Sequence, residues 1–408
     1  MKTLLLIPSV AKSGLGAAVA ADKHPTMDYE ALAAALRSRP GGHADLLDYA
    51  AVDRETDPAV RWVRKVAGRN AALALMGFQR RNDYAAIFTN AENVALPLAL
   101  LLKTVSKRPR HVTIAHRLSA KKKQVFYRLL QVHRQMDAIF LYASTQLEYA
   151  REQLGIPDES LRLIQFHVDH RFYRPLGDTE VREEQICAAG LEWRDYPTLI
   201  DAVTEKTDLS VRLAAASPWS RGANETEARE LPAHVDARRY DYHALRDLYA
   251  ESAVVVVPLY ENDFQAGITT ILEAMAMAKP VIVTRTAGQC DVVADGHTGI
   301  YVAPGGVEDW KQAIDRVRND PALRANLGQR ARRWVEENAT LDVWVNNIVG
   351  AIHNAPAVVE ANAPQQLASV TASSSRRRSA WPAGLAQGSQ ASEHIEPGHR
   401  LMNGTYSA

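Results

Sequence analysis

Short, fully apolar runs alternate along this chain with longer segments of helical periodicity, and this alternation constrains the fold more than any other feature. Apolar runs without polar alternation are typical of parallel strands, because helices cover both faces of such a sheet. The pattern therefore predicts an α/β fold. The predicted strands are 4–10, 85–89, 112–115, 138–142, 163–168, 185–189, 211–214, 238–241, 253–258, 281–284 and 300–302.

The predicted strands form two sets, and 408 residues are enough for two domains with separate cores. Net charge changes sign between the sets, because residues 1–176 hold 26 Lys and Arg against 16 Asp and Glu, whereas residues 177–354 hold 18 against 28. Two sets of buried strands separated by helices predict two Rossmann-like, doubly wound domains. Ligands of such sheets bind at the carboxyl ends of the strands, so we expect the site in the cleft between the domains.

The predicted boundaries follow from the linker at 174–177, where Arg, Pro, Leu and Gly succeed one another. We assign residues 1–175 to the first domain and 176–340 to the second. An amphipathic helix within 341–354 is expected to pack back on the first domain. Of the 54 residues in 355–408, 27 are Ala, Ser, Pro or Gly, so this tail is predicted to be disordered.

Cysteine content and apolar run lengths exclude several classes of protein. Two cysteines, Cys187 and Cys290, make neither a disulfide framework nor a zinc site and suit a reducing compartment. The apolar run near the first residue is interrupted by Pro8 and Lys12, which favours a first strand over a signal peptide. Since no run reaches the ~18–20 apolar residues of a membrane-spanning helix, we expect a cytoplasmic protein.

Residues 253–304 carry the strongest functional pattern. A predicted strand ends at Pro258, and after a polar loop a helix begins near Gly267 with a buried face. The free N–H groups at a helix start bind anions such as phosphate, and Glu273, one turn further, suits the hydroxyls of a ribose. The pattern predicts a nucleotide diphosphate site. Its phosphate-binding residues are Ala266, Gly267, Ile268, Thr269 and Thr270.

This segment resembles the donor-binding region of the retaining family-4 glycosyltransferases, which have the GT-B fold of two Rossmann-like domains. Those enzymes carry two glutamates with seven residues between them; the second matches Glu273, and the first falls on Gln265. The likeness extends through 286–288, 295–299 and 303–306. It implies transfer of a sugar, with retention of configuration, from a nucleotide-diphosphate sugar to an acceptor hydroxyl, with no metal or cofactor. Gln265 would contact the sugar without the family's negative charge.

A second point of resemblance lies at 188–200. The family has Gly-Arg, a short loop and then a lysine before a helix, with both basic residues on the diphosphate. Arg194 stands at the lysine position, while Leu191 and Glu192 replace the arginine. The resemblance implies that Arg194 stabilises the charge on the leaving diphosphate. The structural alternative is a surface arginine paired with Asp195.

In the first domain the resemblance implies a glycine turn after the first strand and a histidine after a later one. Gly14 and Gly16 follow strand 4–10, and His116 follows strand 112–115. A lone Gly-x-Gly is weak evidence, and a lone histidine at a helix start is often structural. The implied role of His116 is a hydrogen bond to the donor sugar.

Three further residues near the linker suggest a metal site that the sequence does not complete. His167 and His170 flank Asp169, but no fourth ligand is evident nearby, so turn formation is the simpler interpretation. Asp169 also matches a family aspartate near the linker, and there too a turn is the simpler role.

Residues 103–134 contain ten Lys and Arg and no Asp or Glu. A helix around 125–132 would place an apolar face beside this charge and suit an anionic membrane surface. The alternative is a helix whose apolar face is core. Nucleic acid is a poorer partner, because no aromatic series accompanies the charges.

Two rival functions remain open from sequence. One is a nucleotide-sugar-binding protein on the same fold, weakened by Gln265 and by the missing arginine. The other is a nucleotide-sugar epimerase, which shares the architecture but needs an acid–base pair that the sequence does not show. The acceptor class expected for the transferase is a glycan, a lipid or a small molecule.

Overall fold

The computed structural model describes residues 1–12, 14–177, 179–215 and 230–353. The predictions for 355–408 lie outside the described residues. Within them the chain forms two six-stranded parallel sheets with helices on both faces, which confirms the predicted fold class.

The first sheet has the order β2-β1-β3-β4-β5-β6, with every pair parallel. Its strands are β1 Lys2–Leu6, β2 His43–Leu47, β3 Ala86–Thr89, β4 Arg110–Ala115, β5 Ala138–Leu141 and β6 Leu161–Leu163. Its helices are α1 Gly16–Ala20, α2 Asp28–Arg37, α3 Tyr49–Arg54, α4 Pro58–Gln79, α5 Glu92–Leu102 and α6 Ser144–Glu152.

The second sheet has the order β12-β11-β10-β7-β8-β9 and is also parallel throughout. Its strands are β7 Arg182–Ala189, β8 Ser210–Ala214, β9 Val235–Ala237, β10 Ser252–Val257, β11 Val281–Thr284 and β12 Ile300–Val302. The remaining helices are α7 Tyr196–Val203, α8 Tyr242–Glu251, α9 Ile268–Ala276, α10 Val307–Asn319, α11 Pro321–Asn338 and α12 Leu341–Ile352.

Three strands differ from the prediction, and all three lie at edges of the sheets. The strand expected at 163–168 is β6 and lies at Leu161–Leu163. β2 was not predicted, because His43 and Asp45 interrupt its apolar pattern. The strand expected at 238–241 lies instead at Val235–Ala237. Edge strands have one side without a strand partner and need no continuous apolar run, which makes them hard to recognise. β1 also ends at Leu6, four residues before the predicted end at residue 10.

The last described helix lies across the first sheet. Trp344 in α12 is buried, and its Nε1–H donates to the Tyr142 hydroxyl at 3.0 Å. Arg110 Nε in β4 donates to the Ala351 carbonyl at 2.7 Å. The chain thus returns from the second domain to complete the core of the first.

Candidate functional site

The two strand orders place the switch point of the second sheet between β7 and β10, from which the chain turns in opposite directions. Ligands of open parallel sheets bind outside the carboxyl ends of the strands at such a point. The loop after β7 and the loop after β10 meet there, because Arg194 and Leu259 form an antiparallel bridge. The two segments singled out by sequence therefore lie side by side.

Helix α9 starts at this edge with a glycine that a larger residue could not replace without strain. Gly267, the N-cap, has φ of +76°, and a Cβ on it would lie 2.8 Å from Val257 Cγ1. The first N–H groups of a helix have no acceptor inside the helix. Those of α9 therefore remain available to an anion at the carboxyl edge of the second sheet. Ala266 differs, since its N–H donates to the Phe264 carbonyl at 2.8 Å. The amides suited to an anion therefore begin at Gly267.

The remaining predicted phosphate residues contribute in different ways. Ile268 is buried in the core and offers only its backbone. Thr269 is partly exposed. Thr270 is buried, and its hydroxyl donates to the Ala189 carbonyl at 3.3 Å, which fastens the first turn of α9 to the end of β7.

Arg194 is buried against this helix start, and the alternative of a surface arginine paired with Asp195 is wrong. Its Nε donates to the Ala189 carbonyl and its Nη1 to the Glu192 carbonyl, both at 2.9 Å. Its Nη2 lies 3.3 Å from the Thr270 hydroxyl. Three of its groups are thus held by the protein, and the guanidinium places a fixed positive charge at the start of α9.

Two glycines leave room for the Arg194 guanidinium, and Asp195 caps a helix instead of pairing with it. A Cβ on Gly190, which has φ of +95°, would come within 2.4 Å of Arg194 Nη2. A Cβ on Gly267 would lie 3.2 Å from Arg194 Nη1. Asp195 caps α7 by accepting the Thr198 N–H at 3.2 Å.

Gln265 precedes the helix and is only 8% exposed. Neither its Oε1 nor its Nε2 has a hydrogen-bond partner among the described residues. A buried polar group without a partner costs about 1–3 kcal/mol, so native proteins rarely keep one unless something binds there. The amide is therefore placed to accept from and donate to a polar ligand.

The loop that carries Gln265 rests on the segment 286–289. Gln289 is buried, and its Nε2 donates to the Ala266 carbonyl at 2.6 Å. A Cβ on Gly288 would come within 2.0 Å of the Phe264 carbonyl oxygen, so only glycine allows this close approach. These contacts explain why the sequence likeness includes 286–288.

Glu273 lies on α9, eight residues after Gln265 in the sequence, and is buried. Burial raises the pKa of its carboxyl to about 7, although the hydrogen bond from Tyr249 and the nearby Tyr173 hydroxyl act in the opposite direction. The Tyr249 hydroxyl donates to Oε2 at 2.9 Å. A carboxyl with such a pKa is typical of ligand sites rather than of structural ion pairs.

The first-domain candidates lie at the facing edge. His116 follows β4; its N–H donates to Glu92 Oε2 at 3.0 Å, and its ring centroid lies 5.4 Å from that of Tyr142. Gly14, with φ of +80°, and Gly16 face open space, since a Cβ on either would have no atom within 4 Å. The glycine turn and the histidine are thus both at the carboxyl edge of the first sheet.

Direct contacts hold the two edges together near the site. Arg117, the neighbour of His116, pairs with Asp263 at 2.8 Å and lies 5.2 Å from the Phe264 ring. Asp263 Oδ2 also accepts from the Ser119 hydroxyl at 2.6 Å, and its carbonyl accepts from Gln146 Nε2 at 2.9 Å. The loop before Gln265 is therefore fastened to the domain that carries His116.

Sequence reasoning missed these cross-domain residues and the two tyrosines around Glu273. Arg117 and Asp263 are 146 positions apart, and no local pattern links them. Tyr249 lies on α8 directly before β10, where a buried tyrosine has no motif of its own. For Arg117, Asp263 and Tyr249 the available signal was position, since each lies within a few residues of a central strand.

Asp169 and His167, which the sequence suggested as metal ligands, make other contacts in the structure. Asp169 Oδ1 accepts the Arg171 and Phe172 N–H groups, and its Oδ2 accepts the Thr26 N–H at 2.7 Å. It therefore forms a turn that joins the linker to the first domain. The His167 ring stacks on Phe166 at 4.9 Å. In the described part of the chain no cluster of three His, Cys, Asp or Glu is arranged to hold a metal ion.

The basic stretch does not form the predicted amphipathic helix. It consists of a 3₁₀ turn at Lys121–Lys123, a π turn at Val125–Leu129 and a 3₁₀ turn at Val132–Gln135. Val132 is buried, whereas Val125 and Leu129 face solvent. The apolar residues expected on one face are divided because the short turns change the residue spacing. No helix in the described ranges is long and apolar enough to cross a membrane.

Comparison with known proteins finds a family and relatives that the second domain resembles. Residues 196–334 match the family model described as "Glycosyl transferases group 1". A D-inositol 3-phosphate glycosyltransferase of Gordonia bronchialis is 33% identical over 156 residues, 37% of this chain and 32% of that protein. One of Kribbella flavida is 37% identical over 158 residues, 37% of each protein. The chain thus spans about a third of the length of the curated relatives it matches.

Solved structures share the fold over most of the chain. Sucrose-phosphate synthase from Thermosynechococcus elongatus matches with a TM-score of 0.66 at 18% identity, over 87% of this chain and 99% of that one. Anabaena Alr3699/HepE in complex with UDP-glucose matches with a TM-score of 0.65 at 16% identity, over 87% of this chain and 100% of that one. Residues 196–334 therefore resemble the glycosyl transferases group 1 family, and the described chain as a whole has the GT-B fold.

Proposed function

We propose that this protein is a retaining glycosyltransferase that moves a sugar from a nucleotide-diphosphate sugar to an acceptor hydroxyl. The observation that carries the proposal is the buried amide of Gln265, whose two polar atoms have no partner among the described residues, directly before α9. A sugar with several hydroxyl groups satisfies both a donor and an acceptor at this point. The family match of 196–334 and the fold support the same reaction class.

In this proposal each part of a donor has its own protein contact. The diphosphate lies at the amides of α9 from Gly267 onward, beside the guanidinium of Arg194. The ribose hydroxyls lie on Glu273. The sugar contacts Gln265 from the second domain and His116 from the first. Gly14 and Gly16 leave room at the first-domain edge for the acceptor or the sugar.

The proposed reaction needs no protein nucleophile. The bond between the sugar C1 and the diphosphate oxygen breaks, and the acceptor oxygen bonds to C1 on the same face. The acceptor proton passes to the leaving diphosphate. Arg194 and the start of α9 stabilise the charge that grows on the diphosphate, and a fixed charge in a buried site does so without reorganising. Nucleotide sugar is the co-substrate, and the scheme requires neither metal nor cofactor.

A second candidate is a nucleotide-sugar-binding protein with weak or no turnover. Gln265 is neutral where the family has a glutamate, and Leu191 and Glu192 replace the family arginine. Both changes spare Glu273 and the start of α9, so this candidate predicts binding without transfer.

Turnover of a panel of nucleotide sugars, with and without acceptor alcohols, tests the proposal. We expect wild type to release nucleoside diphosphate from at least one donor, and Glu273→Ala to lose at least about 100-fold in kcat/KM. Gln265→Ala should lower turnover while leaving free nucleoside diphosphate binding unchanged. Gln312→Ala, a partly solvated glutamine on α10, is the matched control. Full activity of Glu273→Ala would contradict the site, and binding without turnover would establish the second candidate.

A further inference from the structure

Exposed large apolar side chains are concentrated on one face of the first domain. Half of the ten large apolar side chains exposed in the described residues lie there. Trp62 and Val66 on α4 are 64% and 59% exposed, and Val125 and Leu129 are 54% and 76% exposed. Leu100 on α5 is the fifth. Single exposed apolar residues are ordinary, but a concentration of this kind marks an interaction surface.

These side chains belong to one layer of structure. α4 and α5 pack on the face of the first sheet that carries Ile87, and α5 and the segment 121–135 pack on the face that carries Ile139. The registers of β3, β4 and β5 put Ile87 and Ile139 on the same side of the sheet. We call the solvent side of α4, α5 and residues 121–135 the outer layer.

The outer layer is basic as well as apolar. Residues 58–82 contain six Lys and Arg and residues 93–136 contain ten, and neither range contains an Asp or Glu. Some of these cations form ion pairs, such as Arg69 with Asp53 and Lys123 with Glu92. In the described ranges six exposed cations of the outer layer form no ion pair: Arg61, Lys65, Lys121, Lys122, Arg128 and Arg134.

On α4 the two kinds of side chain alternate on one helix surface. Trp62 and Val66 are four residues apart, as are Arg61 and Lys65, so the four side chains form two adjacent rows. A tryptophan between cations suits the boundary between lipid headgroups and acyl chains, where the indole is half buried and the cations meet phosphate. Segment 121–130 likewise exposes apolar Val125 and Leu129 in the same short stretch as Lys121 and Lys122.

We propose that the outer layer docks the first domain on an anionic lipid bilayer. Charge complementarity identifies the partner, because exposed cations without an ion pair lie on the same elements as the exposed apolar side chains of α4 and 121–130. Nucleic acid fits less well, since Trp62 is the one aromatic ring exposed in the layer's described residues and base stacking uses several. Docking involves none of the residues assigned to the donor site, so it stands or falls independently of the proposed function.

Sedimentation of the full chain with phosphatidylcholine vesicles, with or without about a third phosphatidylserine, tests the proposal. We expect binding to the anionic vesicles only. Reversing three charges (Lys121→Glu, Lys122→Glu, Arg128→Glu) should weaken binding by about a hundredfold, because each basic residue near such a surface contributes about fivefold. Trp62→Ser should weaken binding to the same vesicles by about tenfold.

Matched controls lie on the second domain. Arg182→Glu, Arg316→Glu and Arg333→Glu change net charge equally, and Val181→Ser removes an exposed apolar side chain. These controls should bind as wild type does, and a circular dichroism spectrum and a urea unfolding midpoint equal to those of wild type confirm that each variant is folded. Equal binding to neutral vesicles, or equal loss in the second-domain variant, would overturn the proposal. So would a dimer that Trp62→Ser converts to monomers, because a second copy of the chain would then cover the layer.

Discussion

Glu92 and Glu273 are both more than nine-tenths buried, and each lies on the helix that follows a central strand of its sheet, yet their surroundings differ. Glu92 in the first domain accepts the N–H groups of His116 and Arg117 and pairs with Lys123. Although burial alone would raise its pKa, Lys123 and the other partners lower it to about 2. Glu273 in the second domain meets tyrosine hydroxyls, and burial raises its pKa to about 7.

Glu92 is a structural carboxylate with protein partners for its charge, whereas Glu273 has no ion pair of this kind and is suited to a ligand. Glu92 has its charge balanced and its oxygens occupied, so it holds the loop of His116 in place. Glu273 is held by neutral donors, with Arg194 the nearest cation acting on it. A buried carboxylate without a direct ion pair is costly to the folded state and gains from ligand hydroxyls. The two domains therefore respond differently to loss of their buried glutamate.

Removal of the Glu92 charge should have the largest effect on stability. Glu92→Gln leaves Lys123 without its partner and should lower the free energy of unfolding by about 3 kcal/mol at pH 7. Glu273→Gln should not lower it, because an amide tolerates this burial better than a carboxylate. Urea unfolding of both variants measures the difference. Equal losses would end the distinction between the two glutamates.

The pH dependence of stability should have opposite signs at the two positions. The raised pKa of Glu273 means that its contribution is present below pH 4.5 and is lost as the pH rises through about 7. The lowered pKa of Glu92 means that its contribution is present above pH 4.5 and is lost as the pH falls toward about 2.

Unfolding free energies of wild type and the two glutamine variants, measured from about pH 2.5 to 8, test this. Glu273→Gln should gain up to about 3 kcal/mol relative to wild type between pH 5 and 8. The deficit of Glu92→Gln should instead shrink below pH 4.5. A flat difference for Glu273→Gln would show that its carboxyl titrates normally.

Loss of the Glu273 carboxylate should weaken nucleotide affinity by about 10–100-fold, since a hydrogen bond to a charged group contributes about 1.5–3 kcal/mol. Calorimetry with nucleoside diphosphates measures it. Asp315→Asn on the outside of the second domain removes a carboxylate paired with Lys206 and is the matched control, with affinity unchanged. An affinity of Glu273→Gln equal to that of wild type would remove the ribose role.

The cross-domain pair of Arg117 and Asp263 should have the smallest effect. Both side chains are more than a third exposed, and such pairs contribute less than about 1 kcal/mol. Asp263→Asn should keep nucleoside diphosphate affinity within about twofold and reduce stability by less than about 1 kcal/mol. A loss as large as that of Glu92→Gln would mean that the contact between domains, and not the buried glutamate, stabilises the first domain.

Most central strands and the start of α9 were predictable, because buried parallel strands and a Gly-initiated helix have strong local patterns. Edge strands such as β2 were not, since one solvated side removes the continuous apolar run. Gln265 was identified through the family resemblance, because it stands where those enzymes carry the first of two glutamates. Its lack of hydrogen-bond partners came only from the fold, which supplies Gln289 to the neighbouring carbonyl instead.

Arg194 is a second residue whose surroundings could not be predicted from local sequence. Its position before a helix pointed to the phosphate region, but its burial depends on Gly190 and on the Ala189 carbonyl at the end of a strand. Arg117 and Asp263 meet only because two domains close on each other. Contacts set by tertiary packing have no counterpart in local spacing.

Calorimetric titration of wild type with nucleoside diphosphates of each common base, beside the matching monophosphates and nucleosides, tests most directly that α9 and Arg194 form a diphosphate site. At least one diphosphate should bind, about tenfold or more tightly than its monophosphate, because the second phosphate meets the helix start and the guanidinium. Equal affinity for diphosphate and monophosphate, or no binding of any nucleotide, would contradict the account.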